Sequence, residues 1–481
     1  MIRAVIGFVL LHAALCGAGL ATMRALGLLR AGQGVRGLLT AAPVGLLVGI
    51  VLVIPTVIVL LVCGVPLTLV TAAIVAAAYC AVSLGVRIRS ASVATGSWWS
   101  KLTSSRRALA IVLFVGVLLV LYVLGGLFAF SRLGTVWDDA RIWSLRGLTL
   151  AYYHRLVPTI FEVQAQAGGH PVYPLLQPAL EAIVSQAMGG PQPRWLHSEL
   201  WLIFCAGIWT AGYLIARPWR RTMSDPPYWI AVLLLVALTP AVLGNIAWGG
   251  ADITGAVLLS LGTLSIGLWL EEGTSGEMLI GGMFLAGAAS TKDEDAIAAG
   301  LVLLLTVALH ISRQLRGDRS RLWALATAIG YFAVIVAPWR IWTSAHHLTD
   351  SVEPPLPKAL SPVYIAHRTR ELHLTASAML TQVTHEWGAV LVLFVLASAV
   401  SLIGRRGGWP TRFYLFSFVL TVLAMLWLYT TTSVSLAFLL PTSMYRTVDM
   451  FMILVGFATA HQVARLGCEP MLASPPHPSR A

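Results

Sequence analysis

Charge is what this sequence lacks most. Only 11% of its 481 residues are Asp, Glu, Lys or Arg, whereas 58% are hydrophobic. A soluble domain carries about 25% charged residues, so the composition excludes an ordinary soluble protein. Uncharged runs close to the ~20 residues that cross a bilayer recur along the chain, as at residues 108–130. The sequence therefore predicts an all-α, polytopic transmembrane helical bundle.

Cysteine is also scarce. None of the five cysteines belongs to a CxxC pair, which argues against a disulfide framework and a zinc site. The sequence has no Walker A, GxSxG or HExxH motif either. The formal charge of +12 does not indicate a nucleic-acid partner, because the basic residues fall in short loops between apolar runs. We therefore expect the lipid bilayer, and no nucleic acid, as a partner.

The apolar runs predict about thirteen spans, plus a short re-entrant or interfacial helix at 173–189. The first run is long for a signal peptide and has no clear cleavage site, so we expect a retained helix there. The predicted spans are 4–29, 38–62, 66–86, 108–130, 197–216, 227–247, 252–270, 278–291, 296–312, 322–343, 387–403, 413–432 and 441–462.

Basic residues define the predicted sidedness. They concentrate in four loops, at 87–107, 217–221, 313–321 and 405–412. An even number of predicted spans separates each loop from the next, so all four can face the cytoplasm. The loop after residue 130 then faces the extracytoplasmic side.

Two adjacent carboxylates, Asp138 and Asp139, stand in that outward loop between Trp137 and Trp143. One interpretation is a cap on the following helix, where carboxylates favour the N-terminal dipole. Against it, adjacent like charges at an apolar boundary repel unless they share a proton or a cation. The two tryptophans suit either the membrane interface or stacking against a sugar ring.

The chain after the acidic pair has a helical pattern. Apolar residues return at helical spacing over 138–166, which predicts one amphipathic interfacial helix. The stretch "GGHPVYPLLQP" follows, and its three prolines predict a turn. His170 and Tyr173 lie in this turn, where a lone His is more often a loop residue than a ligand.

Other charges lie at the ends of predicted spans, where charge is costly and usually functional. Lys292 is at the tip of a predicted helical hairpin. The alternative to a functional role is that it only pairs with Asp293 or Glu294 in an outward-facing turn. Asp252 is by default an N-cap. Arg446 either extends to the interface or binds an anion bidentately.

The segments "WDDARIW", "HPVYPLLQP", "STKDED" and "MYR", with the predicted topology, resemble the GT-C membrane glycosyltransferases. A bacterial GT-C group is most similar, and the protein O-mannosyltransferase and aminoarabinose-transferase families are more distant. Asp293 and Asp295 depart from that group, which has Asn and Gly there. The resemblance covers about residues 108–450. The predicted domains are an added three-helix block at 1–107, a catalytic core at 108–463 and a disordered cytoplasmic tail at 464–481.

The resemblance implies transfer of a sugar from a polyprenyl-phosphate-linked donor to an extracytoplasmic acceptor hydroxyl on a glycan, lipid or protein, with inversion. It implies a multi-pass plasma (inner) membrane protein with an extracytoplasmic site. Asp138 would be the general base and Asp139 would orient the acceptor. The other implied roles are donor phosphate binding by Lys292, Arg446 and Arg340; substrate binding by Trp137, Trp143, His170, Tyr173, Glu294 and Asp252; and, if a divalent Mg or Mn ion takes part, its binding by Asp138, Asp139 and Asp293.

Two other classes of protein fit the same residues. In a transporter or flippase for a lipid-linked or amphipathic substrate, the charges at 252, 292–295 and 446 would line a translocation path. Many transporters carry inverted repeats, and this sequence has no convincing internal repeat. In a membrane scaffold without catalytic activity, the acidic pair would only cap a helix.

Overall fold

The computed structural model describes residues 2–29, 35–85, 120, 123–131, 139–166, 170–217, 226–312, 319–349, 356–403 and 408–472. Within these ranges every regular element is a helix, and no strand occurs. The all-α prediction is confirmed for this part of the chain.

The helices follow one another along the whole sequence. They are α1 Ile2–Ala25, α2 Val35–Val62, α3 Leu69–Gly85, α4 at 123–131, a π-helical turn Asp139–Ser144, α5 Leu145–Tyr153, α6 Pro158–Gln166, α7 Leu176–Met188, α8 Pro193–Ala216, α9 Pro226–Trp248, α10 Asp252–Glu272, α11 Ser275–Ala289, α12 Asp293–Ser312, α13 Arg319–Ala345, α14 Leu356–Ala359, α15 Pro362–Ala366, α16 Thr369–Glu386, α17 Gly388–Ile403, α18 Gly408–Thr431 and α19 Leu436–Leu472.

Eight helices in the described ranges are long and apolar enough to cross a membrane. They belong to α1, α2, α8, α10, α12, α13, α18 and α19, and the bent pair α16–α17 makes a ninth if it is one span. The predicted spans at 66–86 and 278–291 correspond to α3 and α11, which have only 17 and 15 residues. Most of the predicted span at 108–130 lies outside the described residues. The count of thirteen stays a prediction.

Helix α10 is the centre of the bundle. It is buried from Asp252 to Leu270, and α8, α11, α12, α18 and α19 all pack against it. At 1.5 Å per residue its 21 residues extend about 30 Å. The two ends of α10 therefore lie at opposite ends of the bundle, with Asp252 at one and Glu271 at the other.

The segment after the acidic pair is not the single helix predicted over 138–166. Its α5 ends where His154 adopts a left-handed conformation with φ 58°, and α6 starts afresh at Pro158. Proline suits the first turn of a helix, because its missing N–H has no intrahelical partner there. The prediction failed because apolar periodicity continues across a break of a few residues.

Helix α7 has 13 residues, or about 20 Å, which is too short to cross the ~30 Å hydrocarbon core. This length agrees with the re-entrant or interfacial prediction for 173–189. Helix α16 was not predicted from the pattern, because its sequence is mostly polar. It meets α17 at Trp387 with a bend of 91°.

Candidate functional site

Three distant segments bring one carboxylate and two cations together, and we call this group the Asp252 cluster. Asp252 begins α10, Lys292 lies in the turn between α11 and α12, and Arg446 belongs to α19. The Nζ of Lys292 is 2.7 Å from one carboxylate oxygen of Asp252, and Nη1 of Arg446 is 3.6 Å from the other. Asp252 is 6% exposed and Arg446 7%. The N-cap interpretation of Asp252 was wrong, because Ala251 is the N-cap and Asp252 the first helical residue.

The turn that carries Lys292 is held by its own side chains and by α7. Ser290 and Thr291 donate their hydroxyls to carbonyls one turn back in α11, and the backbone N–H of Leu176 donates to the carbonyl of Ser290. These bonds occupy the carbonyls that a helix end leaves without partners. The position of Lys292 is therefore fixed by backbone contacts as well as by its charge.

Lys292 pairs with Asp252 across the bundle, while Glu294, one of the two partners expected within the turn, lies 3.6 Å away. The other expected partner, Asp293, pairs instead with Arg340 of α13. Burial lowers the pKa of Lys292, but the charges of Asp252 and Glu294 outweigh it and raise the pKa above its ordinary value. Lys292 therefore stays a cation at physiological pH.

Carboxylates outnumber cations around this turn. The acidic side chains are Asp252, Asp293, Glu294 and Asp295, and the basic ones are Lys292, Arg340 and Arg446. Asp295 is buried against Gly255, where a Cβ would come within 1.8 Å of its carboxylate oxygen. An incoming anion must therefore replace a carboxylate contact rather than enter a purely positive pocket.

The loop 170–175 covers the cluster. The Tyr173 hydroxyl donates to Glu294 at 3.1 Å, and the Tyr173 ring lies 5.8 Å from the Nζ of Lys292. The His170 ring stacks on Tyr173 with centroids 4.2 Å apart. Arg146 donates to the Tyr173 carbonyl at 3.1 Å. His170 thus lies in this loop, with its ring against Tyr173.

The π-helical turn joins the acidic pair to this loop. Trp143 stacks on Tyr173 at 5.7 Å, and these two residues form a small apolar cluster with Ile142 and Ala251, the neighbour of Asp252. Asp139 begins the turn. Residues four apart on a helix lie about one turn from each other, with Cβ positions about 5–6 Å apart. The backbone of Asp139 therefore lies about one turn from Trp143. Short π-helical turns occur often at functional sites.

Two of the predicted residues, Trp137 and Asp138, lie outside the described residues, and Asp139 is described through its backbone only. Nine others belong to one connected region: Trp143, His170, Tyr173, Asp252, Lys292, Asp293, Glu294, Arg340 and Arg446.

The described residues contain no group of three or more His, Cys, Asp or Glu side chains arranged to hold a metal ion. Asp293, which the resemblance assigned to a metal, contacts Arg340. Asp138 and the side chain of Asp139 lie outside the described residues, so binding of a divalent cation stays a prediction.

Asp449 is a buried acid that the sequence reading missed. It is 1% exposed, and its carboxylate accepts hydrogen bonds from Asn245 at 3.2 Å and from Trp387 at 3.0 Å. A usable signal was present, since a charge three residues after Arg446 in an apolar helix is unusual. Trp387 stands at the bend between α16 and α17, so its hydrogen bond to Asp449 attaches this bend to α19.

The fold and the Asp252 cluster define a multi-pass helical membrane protein with a buried polar site at one end of its bundle. Comparison of the chain with known protein families, curated proteins and solved structures finds no match.

Proposed function

We propose that the protein is a GT-C-type membrane glycosyltransferase. It would transfer a sugar from a polyprenyl-phosphate-linked donor to an acceptor hydroxyl outside the cytoplasm. The observation that carries the proposal is the junction of the π-helical turn, the loop 170–175 and the Asp252 cluster. In such an enzyme a catalytic base, an aromatic surface and phosphate-binding cations would have to lie close together, as these three segments do.

The donor phosphate is assigned to Lys292 and Arg446. An ammonium group has three donors, and Lys292 makes one short contact, to Asp252. Glu294, at 3.6 Å, is the weaker partner, and a phosphate oxygen would replace it. In this scheme Asp252 holds both cations in place. Arg340, which pairs with Asp293 beside the cluster, would add positive charge near the same phosphate.

The chemical step needs a base and a stabilised leaving group. Asp138 would take the proton of the acceptor hydroxyl as that oxygen attacks the anomeric carbon, and Asp139 would orient the acceptor. The bond between the anomeric carbon and the phosphate oxygen breaks, and polyprenyl phosphate leaves with the electron pair. Positioned base catalysis contributes about 10²–10⁴-fold, and the cations stabilise the phosphate charge.

The sugar is assigned to the aromatic stack. Trp143, Tyr173 and His170 form a continuous set of rings beside Lys292. The Tyr173 hydroxyl and Glu294 supply a hydrogen-bonding edge next to those rings. Trp137, close to Asp138 in sequence, would extend this surface.

The test is turnover by the purified full-length protein in detergent. It is given a panel of polyprenyl-phosphate sugars, and release of polyprenyl phosphate is measured together with transfer to an acceptor extract. We expect Asp138→Asn to abolish both while the protein unfolds at the wild-type temperature. Glu162→Gln, which removes a charge at an exposed position of α6, is the matched control and should keep full activity. An active Asp138→Asn protein would remove Asp138 from the mechanism.

The 91° break between α16 and α17 favours the transporter alternative, because transporters often use discontinuous helices. Reconstituted protein separates the two functions. A transporter would move a fluorescent polyprenyl-phosphate lipid between leaflets and leave its sugar intact, whereas the proposed enzyme would consume the donor.

A further inference from the structure

A cavity of about 260 Å³ lies between α5, α7 and the start of α8. Its lining is mostly apolar and includes Trp195 and Leu148, yet it also contains two carboxylates, Glu181 and Glu199. Because about 10–15 Å³ of such space holds one water molecule, the cavity has room for an organic molecule. Leu148 is 43% exposed, so the cavity opens beside α5.

Glu199 is the reason to expect a ligand. It is 1% exposed, and neither of its carboxylate oxygens accepts a hydrogen bond from the described part of the chain. Its only ion pair there is with His12 of α1, whose Nε2 lies 3.5 Å from Oε1. Since a buried carboxylate is costly without hydrogen-bond donors, the His12 contact leaves Oε2 in need of one.

Glu181 is held at the same wall by a chain of polar side chains. Its Oε1 accepts from Gln177, whose own oxygen accepts from Thr254, two residues after Asp252. Its Oε2 lies against Gly147, where a Cβ would come within 2.9 Å. Hydrogen bonds therefore connect the cavity wall to α10 near Asp252, while the residues that line the cavity and those of the Asp252 cluster are different.

We propose that this cavity binds an organic ammonium ion. The cationic group contacts Glu199 and Glu181, and its apolar part packs against Trp195 and Leu148. An ammonium supplies the donors that Glu199 lacks, and an indole face adds a cation–π contact. The shared chemistry fits a free amine or the head group of an aminophospholipid. The inference does not depend on the proposed sugar transfer.

The experiment measures binding to the full-length protein in detergent. One arm titrates n-butylammonium chloride against the neutral n-butanol by thermal unfolding, since a ligand specific for the folded state raises the unfolding temperature. The other arm counts bound phosphatidylethanolamine and phosphatidylglycerol by native mass spectrometry. The variants are Glu199→Gln, Leu148→Trp, which adds bulk at the opening, and the exposed control Glu162→Gln.

We expect wild type and Glu162→Gln to prefer butylammonium over butanol, or phosphatidylethanolamine over phosphatidylglycerol, or both. Loss of the charge-assisted contact in Glu199→Gln weakens binding at least about tenfold, and Leu148→Trp causes a similar loss with all charges kept. If Glu199→Gln weakens the binding of butylammonium, the ligand is a soluble amine. If it weakens only the binding of phosphatidylethanolamine, the ligand is an aminophospholipid. Equal binding of amines and their counterparts, or unchanged binding in both variants, overturns the proposal.

Discussion

The two ends of α10 carry charged clusters of different character. At one end, the Asp252 cluster buries a carboxylate between two cations from other segments. At the other, Glu271 pairs with Arg465 at 2.9 Å and with His461 at 3.3 Å, and its side chain is 28% exposed. Water can stabilise the charge of Glu271, whereas only the protein can stabilise that of Asp252.

The difference separates charges that serve only to hold helices together from charges that need another explanation. Ion pairs with a partly exposed carboxylate contribute little and cost little, so the pairs of Glu271 need no further explanation than joining α10 to α19. Burying three charges at the Asp252 cluster is costly, and hydrophobic residues of similar size often stabilise a fold as well or better. A requirement beyond stability therefore explains the Asp252 cluster better.

The largest expected effect is that of Asp252→Asn. It leaves Lys292 and Arg446 buried side by side without their shared carboxylate, and breaking a buried ion pair costs about 3–5 kcal/mol. The free energy of unfolding, measured by denaturant titration in micelles, should fall by about that amount. A loss below about 1 kcal/mol would place Asp252 in the same class as Glu271.

Lys292→Met should give the next largest loss, and its pH dependence sharpens the comparison. A lysine whose pKa is raised in the folded state contributes stability that is fully present below its unfolded pKa of about 10.4 and is lost as pH rises through the folded value. The difference in unfolding free energy between wild type and Lys292→Met should therefore be constant from about pH 7 to about pH 10. A decline between these limits would mean that Lys292 loses its proton there.

Tyr173→Phe should have a smaller effect, because it removes the hydroxyl bonded to Glu294 and keeps the ring between Trp143 and His170. A hydrogen bond to a carboxylate is worth about 1.5–3 kcal/mol. Tyr173→Leu, which also removes the stacked ring, is the companion variant and should lose more stability and more donor affinity. Equal losses in the two variants would show that the ring contributes nothing beyond the hydroxyl.

The smallest effect is expected for Glu271→Gln. Because the Glu271 carboxylate is partly exposed, its pairs with Arg465 and with the buried His461 should together account for no more than about 1 kcal/mol of unfolding free energy. Donor turnover should not change, since Glu271 lies the length of α10 away from the proposed site. Loss of turnover without loss of stability would contradict the separation of the two ends.

Much of this organisation could be predicted from the sequence, because charges in apolar runs are rare and stand out. Lys292, Asp252 and Arg446 were selected for that reason, and they do meet. Arg217 and Arg321, from two of the predicted cytoplasmic loops, both lie near the α10–α11 junction, where Arg217 pairs with Glu277 and Arg321 lies against Gly273. They share an end of the bundle, as predicted, while the compartment it faces stays a prediction.

The pairing itself could not be predicted. Local spacing suggested that Lys292 would pair with Asp293 or Glu294, but the short contact is with Asp252, forty positions away, because α10 packs beside the α11–α12 hairpin. The pair of His12 and Glu199 has the same origin, since one partner lies in the first helix and the other in α8. Such contacts depend on which helices become neighbours, and periodicity carries no information about that.

An electron cryo-microscopy map of the protein with a bound polyprenyl-phosphate sugar would test the central claim most directly. We predict phosphate density within about 4 Å of the Lys292 ammonium and the Arg446 guanidinium, with the sugar against Tyr173 and facing the start of the π-helical turn. Phosphate density at the Glu271 end of α10 would contradict it, as would an Asp252 cluster left unchanged and without phosphate at saturating donor.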